Sequence, residues 1–264
     1  MIKFKKLASL FIFLFSSGLA IEAAGQTDTI SVRKKNLLTG NIKEGTSQFL
    51  SFSKNEKTKA IVSYGIQERT VKFSKRNGRD VIIVVQHRHV NDSTMSKYVY
   101  TVSDRRNFQT MYDYTQRIIS GIEAYDYKDD SVTGSDSIRN NTKTEFRFDF
   151  KGDLPYCSEL NVETISALPL KRKGQKLAVA FYEPGIADPP QYHEIEVVGT
   201  ERLIGINQTL INCWVVKMTY DAYNHDYFWI SETGHEFLKL ESHSPGMIFS
   251  RVKLFNSDPS RFFN

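Results

Sequence analysis

Cysteine, proline and long apolar runs are all scarce in this chain. Two cysteines among 264 residues, Cys157 and Cys213, are too few for a disulfide-stapled scaffold. In an oxidising compartment they can be bridged, which contributes roughly 4 kcal/mol on the chain-entropy estimate. They can equally remain reduced thiols that behave as small apolar residues, and the sequence leaves both readings open. Past Ala20 no apolar stretch approaches the roughly 20 residues that a membrane span requires. Charge is nowhere gathered into the basic stripe that nucleic-acid binding needs. Also missing are the Gly-x-Ser-x-Gly elbow, His-Glu-x-x-His, a recognisable cysteine nucleophile and any glycine loop able to cradle phosphate. Neither an internal repeat nor a heptad run is found. No catalytic residue or cofactor is therefore expected.

What is there begins with the N-terminus. Lys3, Lys5 and Lys6 precede an apolar run from Leu7 to Ala20, and small residues follow at Ala20, Ala23, Ala24 and Gly25. That order is the pattern of a secretory signal peptide. Cleavage after Ala23 or Gly25 fits, and Gly25 is preferred, which divides the chain into a signal peptide, 1–25, and an exported domain, 26–264. Export would place the protein in the periplasm or on the outer cell surface. Removing residues 1–25 subtracts three lysines and one glutamate from 35 basic and 30 acidic residues, leaving 32 against 29, a net charge of +3. So mild a balance predicts no nucleic-acid partner.

From Gln48 onward apolar residues recur mostly at period two, the signature of β-strands. Gln48–Ser53, Ala60–Ile66 and Arg69–Lys75 alternate, with turns expected at Gly65–Gln67 and at Asn77-Gly78. Asp80–Val90, Lys97–Ser103, Phe108–Tyr114 and Ile118–Tyr127 continue the series. Asp129–Thr142 is polar and reads as an exposed loop, with a sub-boundary conceivable at 129–141. Tyr156–Ala167 is the one helix candidate, Pro155 sitting at its first turn. Short strands then run to the C-terminus, with a tight turn at Ser231-Glu232-Thr233-Gly234. The fold class expected is mainly β: a curved antiparallel meander, barrel or half-barrel, with one short helix packed against it.

The second half carries a resemblance. FRFDF, the stretch ALPLKRKGQKLAVAFYEPG at Ala167–Gly185, EIEVVGTERL at Glu194–Leu203, CWVVKMTY and FWISETGHEFLKLES at Phe228–Ser242 together are similar to an exported bacterial family known as domain of unknown function 3108. The resemblance implies a curved antiparallel sheet beside a helix, like the half-barrels of periplasmic lipoprotein carriers. It implies no activity, cofactor or catalytic residue. It does suggest an apolar concavity, with a lipid, another apolar ligand or an envelope protein as partner.

Candidate site residues follow from the same pattern. Leu160, Ile165 and Leu168 would face the sheet from the helix. Trp214 and Phe228 share strand faces with other apolar residues, so Leu160, Ile165, Trp214 and Phe228 are the candidates to line a pocket. Trp214 should be the more buried tryptophan and Trp229 should lie on the opposite face. His87 and His89, at i and i+2, could offer two nitrogens to a metal and make a metal-dependent hydrolase the rival reading; a site needs a third ligand. Exposed Tyr and Trp would instead suit a surface module for glycans or proteins. Finally, Thr29, Ser93, Ser131 and Ser137 each follow an Asp and precede a methyl-bearing residue. That resembles the O-glycosylation acceptor of exported proteins in some Bacteroidetes, though Asp-Ser pairs are also common in turns.

Overall fold

The computed structural model describes residues 27–255; the proposed signal peptide and its cleavage site lie outside them. The strands are β1 (Asp28–Ile30), β2 (Gly45–Asn55), β3 (Ile61–Arg76), β4 (Arg79–Val90), β5 (Lys97–Asp104) and β6 (Thr110–Arg117). Then come β7 (Gly121–Tyr127), β8 (Ser131–Gly134), β9 (Arg147–Asp149) and β10 (Tyr156–Cys157). Helix α1 (Asn161–Ser166) follows, and the chain ends with β11 (Lys176–Tyr182), β12 (Gln191–Ile204), β13 (Leu210–Thr219), β14 (His225–Ser231), β15 (Phe237–Ser244) and β16 (Met247–Leu254).

All the strands belong to one curved sheet, in the order β1-β11-β12-β13-β14-β15-β16-β2-β3-β4-β5-β6-β7-β8-β9. Two meanders are joined where β16 pairs antiparallel with β2, so the last strand bonds to one of the first. The short β1 and β10 add parallel pairings to β11. The two sheet edges meet through side chains instead of a ladder. Phe148 of β9 stacks on Tyr182 of β11 with centroids 5.5 Å apart, and Phe150, just past β9, meets the same ring edge-on at 5.0 Å. The result is an open barrel with an upper end, marked by the β3–β4 and β14–β15 turns, and a lower end, marked by the β2–β3 and β15–β16 turns.

The expected helix over Tyr156–Ala167 is shorter. Tyr156 and Cys157 pair with β11, Ser158–Leu160 form a single 3-10 turn, and only Asn161–Ser166 are α-helical. Apolar contact on every side, not helical amphipathicity, sets this segment's shape. Leu160, Ile165, Ala167 and Leu168 are all at 0% exposure and fill the concave face as a plug.

Three other expectations are corrected. The polar stretch 129–142 is an exposed loop only in part: Ser131–Gly134 form β8, which pairs with both β7 and β9, while Asp136, Ser137, Arg139 and Asn140 are exposed. Ser135 is fully buried, and Asn141 bonds the backbone of Ala124 through both ends of its amide. Polar side chains that satisfy buried backbone look, in sequence, like solvent-facing ones. Secondly, β3 runs unbroken through the expected turn at Gly65–Gln67. Gly65 is needed for another reason: a Cβ there would sit 2.1 Å from the carbonyl oxygen of His89 on β4, a close backbone approach that only glycine allows. Thirdly, Trp229 is the more buried tryptophan, 5% exposed against a half-buried Trp214. The two do lie on opposite faces. Trp229 is covered on the convex side by a second cluster containing Cys213, Val215 and Leu238, and its Nε1 donates to Glu201 at 2.8 Å.

The cysteines are unbridged. Cys157 lies in the main core and Cys213 in the convex cluster, so the sheet separates them. Burial pushes both thiols up, Cys213 to about 11, which suppresses the reactive thiolate.

The Asn77-Gly78 turn is as expected: both residues have positive φ, 48° and 77°, the geometry of a two-residue hairpin turn. Replacing Gly65 with alanine should cost more than about 2 kcal/mol in urea denaturation, because backbone and not a side chain must move. Gly40→Ala, where a Cβ meets nothing within 4 Å, should be near neutral; equal effects of the two changes would contradict this account of β3.

Candidate functional site

The concave wall is divided by the alternation of its strands. On β11–β15 the inward residues are apolar, Leu177, Val179, Ile195, Val197, Val216, Met218, Phe228 and Leu240 among them, and they pack on the plug. On β3–β6 the inward residues change character along each strand. Gln67 and Arg69 give way to Val71 and Phe73 on β3, and Gln86 gives way to Val84 and Ile82 on β4. Thr101 and Asp113 face them from β5 and β6.

Polar groups bind the plug to this half. The Arg69 guanidinium donates from Nε to Glu163 at 2.6 Å, from Nη2 to the other Glu163 oxygen, and from Nη2 to the carbonyl of Glu159 at 2.9 Å. Both side chains of the pair are almost wholly buried, at 4% and 6% exposure. Gln86 donates to the same Glu159 carbonyl at 2.9 Å. Lys97 Nζ reaches both oxygens of Glu159, at 2.7 and 2.9 Å. Burial alone would raise the Glu159 carboxyl, yet the Lys97 charge and hydrogen bonds hold it below its ordinary value.

At the upper end the wall opens into a cavity of about 450 Å³. Its apolar lining comes from Ile42, Phe49, Val71, Val162 and Phe237, with Phe49 and Phe237 in ring contact at 5.3 Å. The Arg69–Glu163 pair borders it, and Lys253 paired to Glu236 stands at the rim. Two further lining residues carry unpaired buried atoms, Asn41 Nδ2 and Ser166 Oγ. Buried donors and hydroxyls ordinarily have partners, so these two atoms stand out in the lining as unsatisfied polar groups. The volume lies within the roughly 300–1,000 Å³ usual for small-molecule sites, which combine apolar walls with a few aimed polar groups.

The pocket-lining candidates fall elsewhere. Leu160, Ile165 and Phe228 are at 0% exposure in the core and border none of the described cavities; they are packing residues. Trp214 is half-buried on the concave face opposite Ile230 and likewise borders none of them. His87 and His89 are exposed on the convex face, their rings stacked 6.3 Å apart, with Tyr98 edge-on to His87 at 4.8 Å. Among the described residues no group of three or more His, Cys, Asp or Glu could hold a metal ion. His225 lies directly across from His243, the rings 5.0 Å apart, a pairing that sequence spacing alone did not bring out. Of the glycosylation candidates, Ser131 is buried at 4% exposure in β8, which closes it to a glycan. Thr29 is half-buried in β1, whereas Ser93 and Ser137 are exposed.

No family model matches the chain, and neither does any curated protein. Among solved structures, a β-barrel-like protein of domain of unknown function DUF1849 from Brucella abortus is similar. It covers 82% of this chain and 100% of its own at 9% identity, with a TM-score of 0.51. A DUF1329 family protein from Desulfovibrio piger covers 90% and 98% at 8% identity, with a TM-score of 0.29. A LolA superfamily protein from Nitrosomonas europaea covers 89% and 98% at 8% identity, with a TM-score of 0.20. The first shows a shared β-barrel-like fold; the other two are too distant in shape to carry an argument.

Behind the plug, Asp113 is fully buried. It accepts from Thr101 Oγ1 at 2.7 Å, while its Oδ2 has no partner. Burial, and then the charge of Glu159, push its carboxyl from 3.8 up to about 7. The neutral form's contribution to stability is complete below about pH 4 and is lost as pH rises through about 7. Asp113→Asn keeps the shape and removes the titration. Its stability relative to the parent should climb by up to about 4 kcal/mol over those three units, at about 1.4 kcal/mol each. Urea denaturation across this range checks it; a difference independent of pH contradicts the assignment.

Proposed function

We propose that this is an exported, non-enzymatic protein of the cell envelope that holds an apolar small molecule with a polar end. The proposal rests on the upper cavity: an apolar mouth of about 450 Å³ beside α1 in which Asn41 Nδ2 and Ser166 Oγ have no partner. A slim chain would lie against Phe49, Val71 and Phe237 while its polar end took up those two atoms. Export is supported by the charged, apolar and small-residue succession at the N-terminus. Among the described residues no helix is long and apolar enough to cross a membrane. Kinship with the domain-of-unknown-function-3108 family is part of the proposal, supported by the order of motifs from Phe146 to Ser242; none of the similar structures belongs to it.

A second reading, a glycan-contacting surface, draws on the convex face of β5 and β6. There Tyr98, Tyr100, Tyr112 and Tyr114 line a cleft of about 620 Å³ with Arg76, Asn77 and Asp126.

Titration with a fluorescent fatty acid separates the two. The parent should bind it at micromolar concentration. Val71→Trp, which fills the cavity, should weaken binding at least about tenfold, and Asn41→Ala by about three- to tenfold through one lost hydrogen bond. The far-ultraviolet spectrum should stay unchanged in both. Absence of binding by the parent, or undiminished binding by folded Val71→Trp, would overturn the cavity reading and favour the tyrosine face.

A further inference from the structure

The lower end of the barrel holds two arginines that, among the described residues, no carboxylate meets within ion-pair distance; Glu159 and Glu163 act on them only from further off. Arg88 on β4 and Arg251 on β16 both point to the concave side. Along the row Arg251–Ser51–Gly65–Val90 the strands β16, β2, β3 and β4 are in register, and Arg88 is two residues from Val90 on the same face. Ser51 and Gly65 follow Arg251 along its row, and Gln67 and Phe49 follow Arg88 along the next, so the floor beside Arg251 carries a hydroxymethyl group and a hydrogen, and that beside Arg88 an amide and a ring. Ser51 spends its hydroxyl on the Gly65 carbonyl at 3.2 Å. Both guanidinium carbons lie 5.7 Å from the centroid of Phe249, which draws the two cations around one ring.

Neither guanidinium makes a hydrogen bond or ion pair with any described residue, and the Nε of each is buried without an acceptor. The nearby acids are already engaged. Glu163 is paired with Arg69 and Glu159 with Lys97. Asp226 accepts from Tyr220 at 2.8 Å and lies beyond ion-pair distance of Arg251. Among the described residues Arg69, Arg88, Lys97 and Arg251 thus share this region with the committed carboxylates of Glu159 and Glu163 and with Asp113 and Asp226, whose acid forms burial favours. Burial, followed by repulsion from Arg69 and Arg88, pushes the Arg251 guanidinium down to about 9. Arginine does not discharge itself by losing its proton under ordinary conditions. An uncompensated buried charge costs several kcal/mol, and parts of both side chains remain accessible to solvent, which gives an ion a way in.

We propose that Arg88 and Arg251 form a binding site for a small oxyanion, a phosphate or carboxylate group, seated over Ser51 and Gly65 at the lower end of the barrel. Each guanidinium can present two parallel N–H donors to such a group. The site is independent of the upper cavity, whose lining shares neither arginine.

The test is thermal unfolding of the full domain in sodium phosphate against sodium chloride at equal ionic strength. The parent should rise by about 5 °C when phosphate reaches roughly a hundredfold excess over its Kd. Phosphate also stabilises proteins by exclusion from their surface, so the response is read against Arg147→Gln, an exposed control at 64% side-chain exposure, and against Arg251→Met and Arg88→Gln. The control should respond like the parent, and the two site variants should lose the ion-specific part. In chloride alone Arg251→Met should be at least as stable as the parent, because it removes an unpaired buried charge. Dihexanoyl phosphatidate in a parallel titration distinguishes the sources. Tighter binding than inorganic phosphate marks an amphiphile's headgroup, and equal binding marks the free ion. An equal phosphate response in the parent and Arg251→Met, or a marked loss of stability of Arg251→Met in chloride, would overturn the site. Inorganic phosphate has no apolar part, so either result leaves the fatty-acid cavity to stand or fall by its own titration.

Discussion

The buried pair of Arg69 and Glu163 is the constraint on which the interior depends. A curved sheet of this size encloses more space than its own side chains fill, and the chain solves the problem by folding residues 154–170 inward as a plug. Apolar contacts seat the plug against β11–β15, but they are non-directional and do not fix its height in the barrel. The guanidinium does. It holds both oxygens of Glu163 and the Glu159 carbonyl, while Gln86 and Lys97 grip the same turn from β4 and β5. Pairing two charges in a low-dielectric interior is tolerable only when geometry is good and the remaining donors are satisfied, and here three strands contribute to that condition.

Fixing the plug divides the lumen. Below it, the polar wall of β3–β6 continues to Arg88 and Lys97, and Arg251 reaches in from β16. Above it, the same strands turn apolar at Val71, Phe73, Val84 and Ile82, and the upper cavity opens between them and α1. One barrel thus has two chemically distinct ends, one lined largely by apolar side chains and one carrying guanidinium groups. The plug that separates them is also the reason the middle of the barrel is solid core and not a continuous channel.

Most of the fold was legible because alternation is a strong signal in half-buried strands. The Val/Ile run of β4, the Asn77-Gly78 turn and the strands of the second meander all lie close to where period two puts them. The interior was not legible for the same reason. A curved sheet with a polar inner wall alternates polar against polar, so nothing in the pattern marks Gln67, Arg69, Gln86 and Arg88 as inward-facing. Gly65 has the composition of a turn, because sequence cannot show which backbone would lie 2.1 Å from an added Cβ. The plug has the pattern of a longer amphipathic helix, since apolar residues needed on all sides imitate a stripe. Nothing local in the sequence ties Arg69 to Glu163, 94 positions apart. Asn41, Ser166 and Arg251 carry no local signal for the same reason: each matters through neighbours that only the barrel brings together.

The central claim is that the Arg69–Glu163 pair seats the plug, and a double-mutant cycle measures this most directly. Arg69→Met, Glu163→Leu and the double variant would be compared by urea denaturation at neutral pH. Each single change leaves one buried charge unpaired and should cost about 3–5 kcal/mol, whereas the double change, which leaves none, should cost less than either. Additive losses, with the double variant as weak as the sum of the singles, would show that the two residues do not act as a pair and would contradict the account.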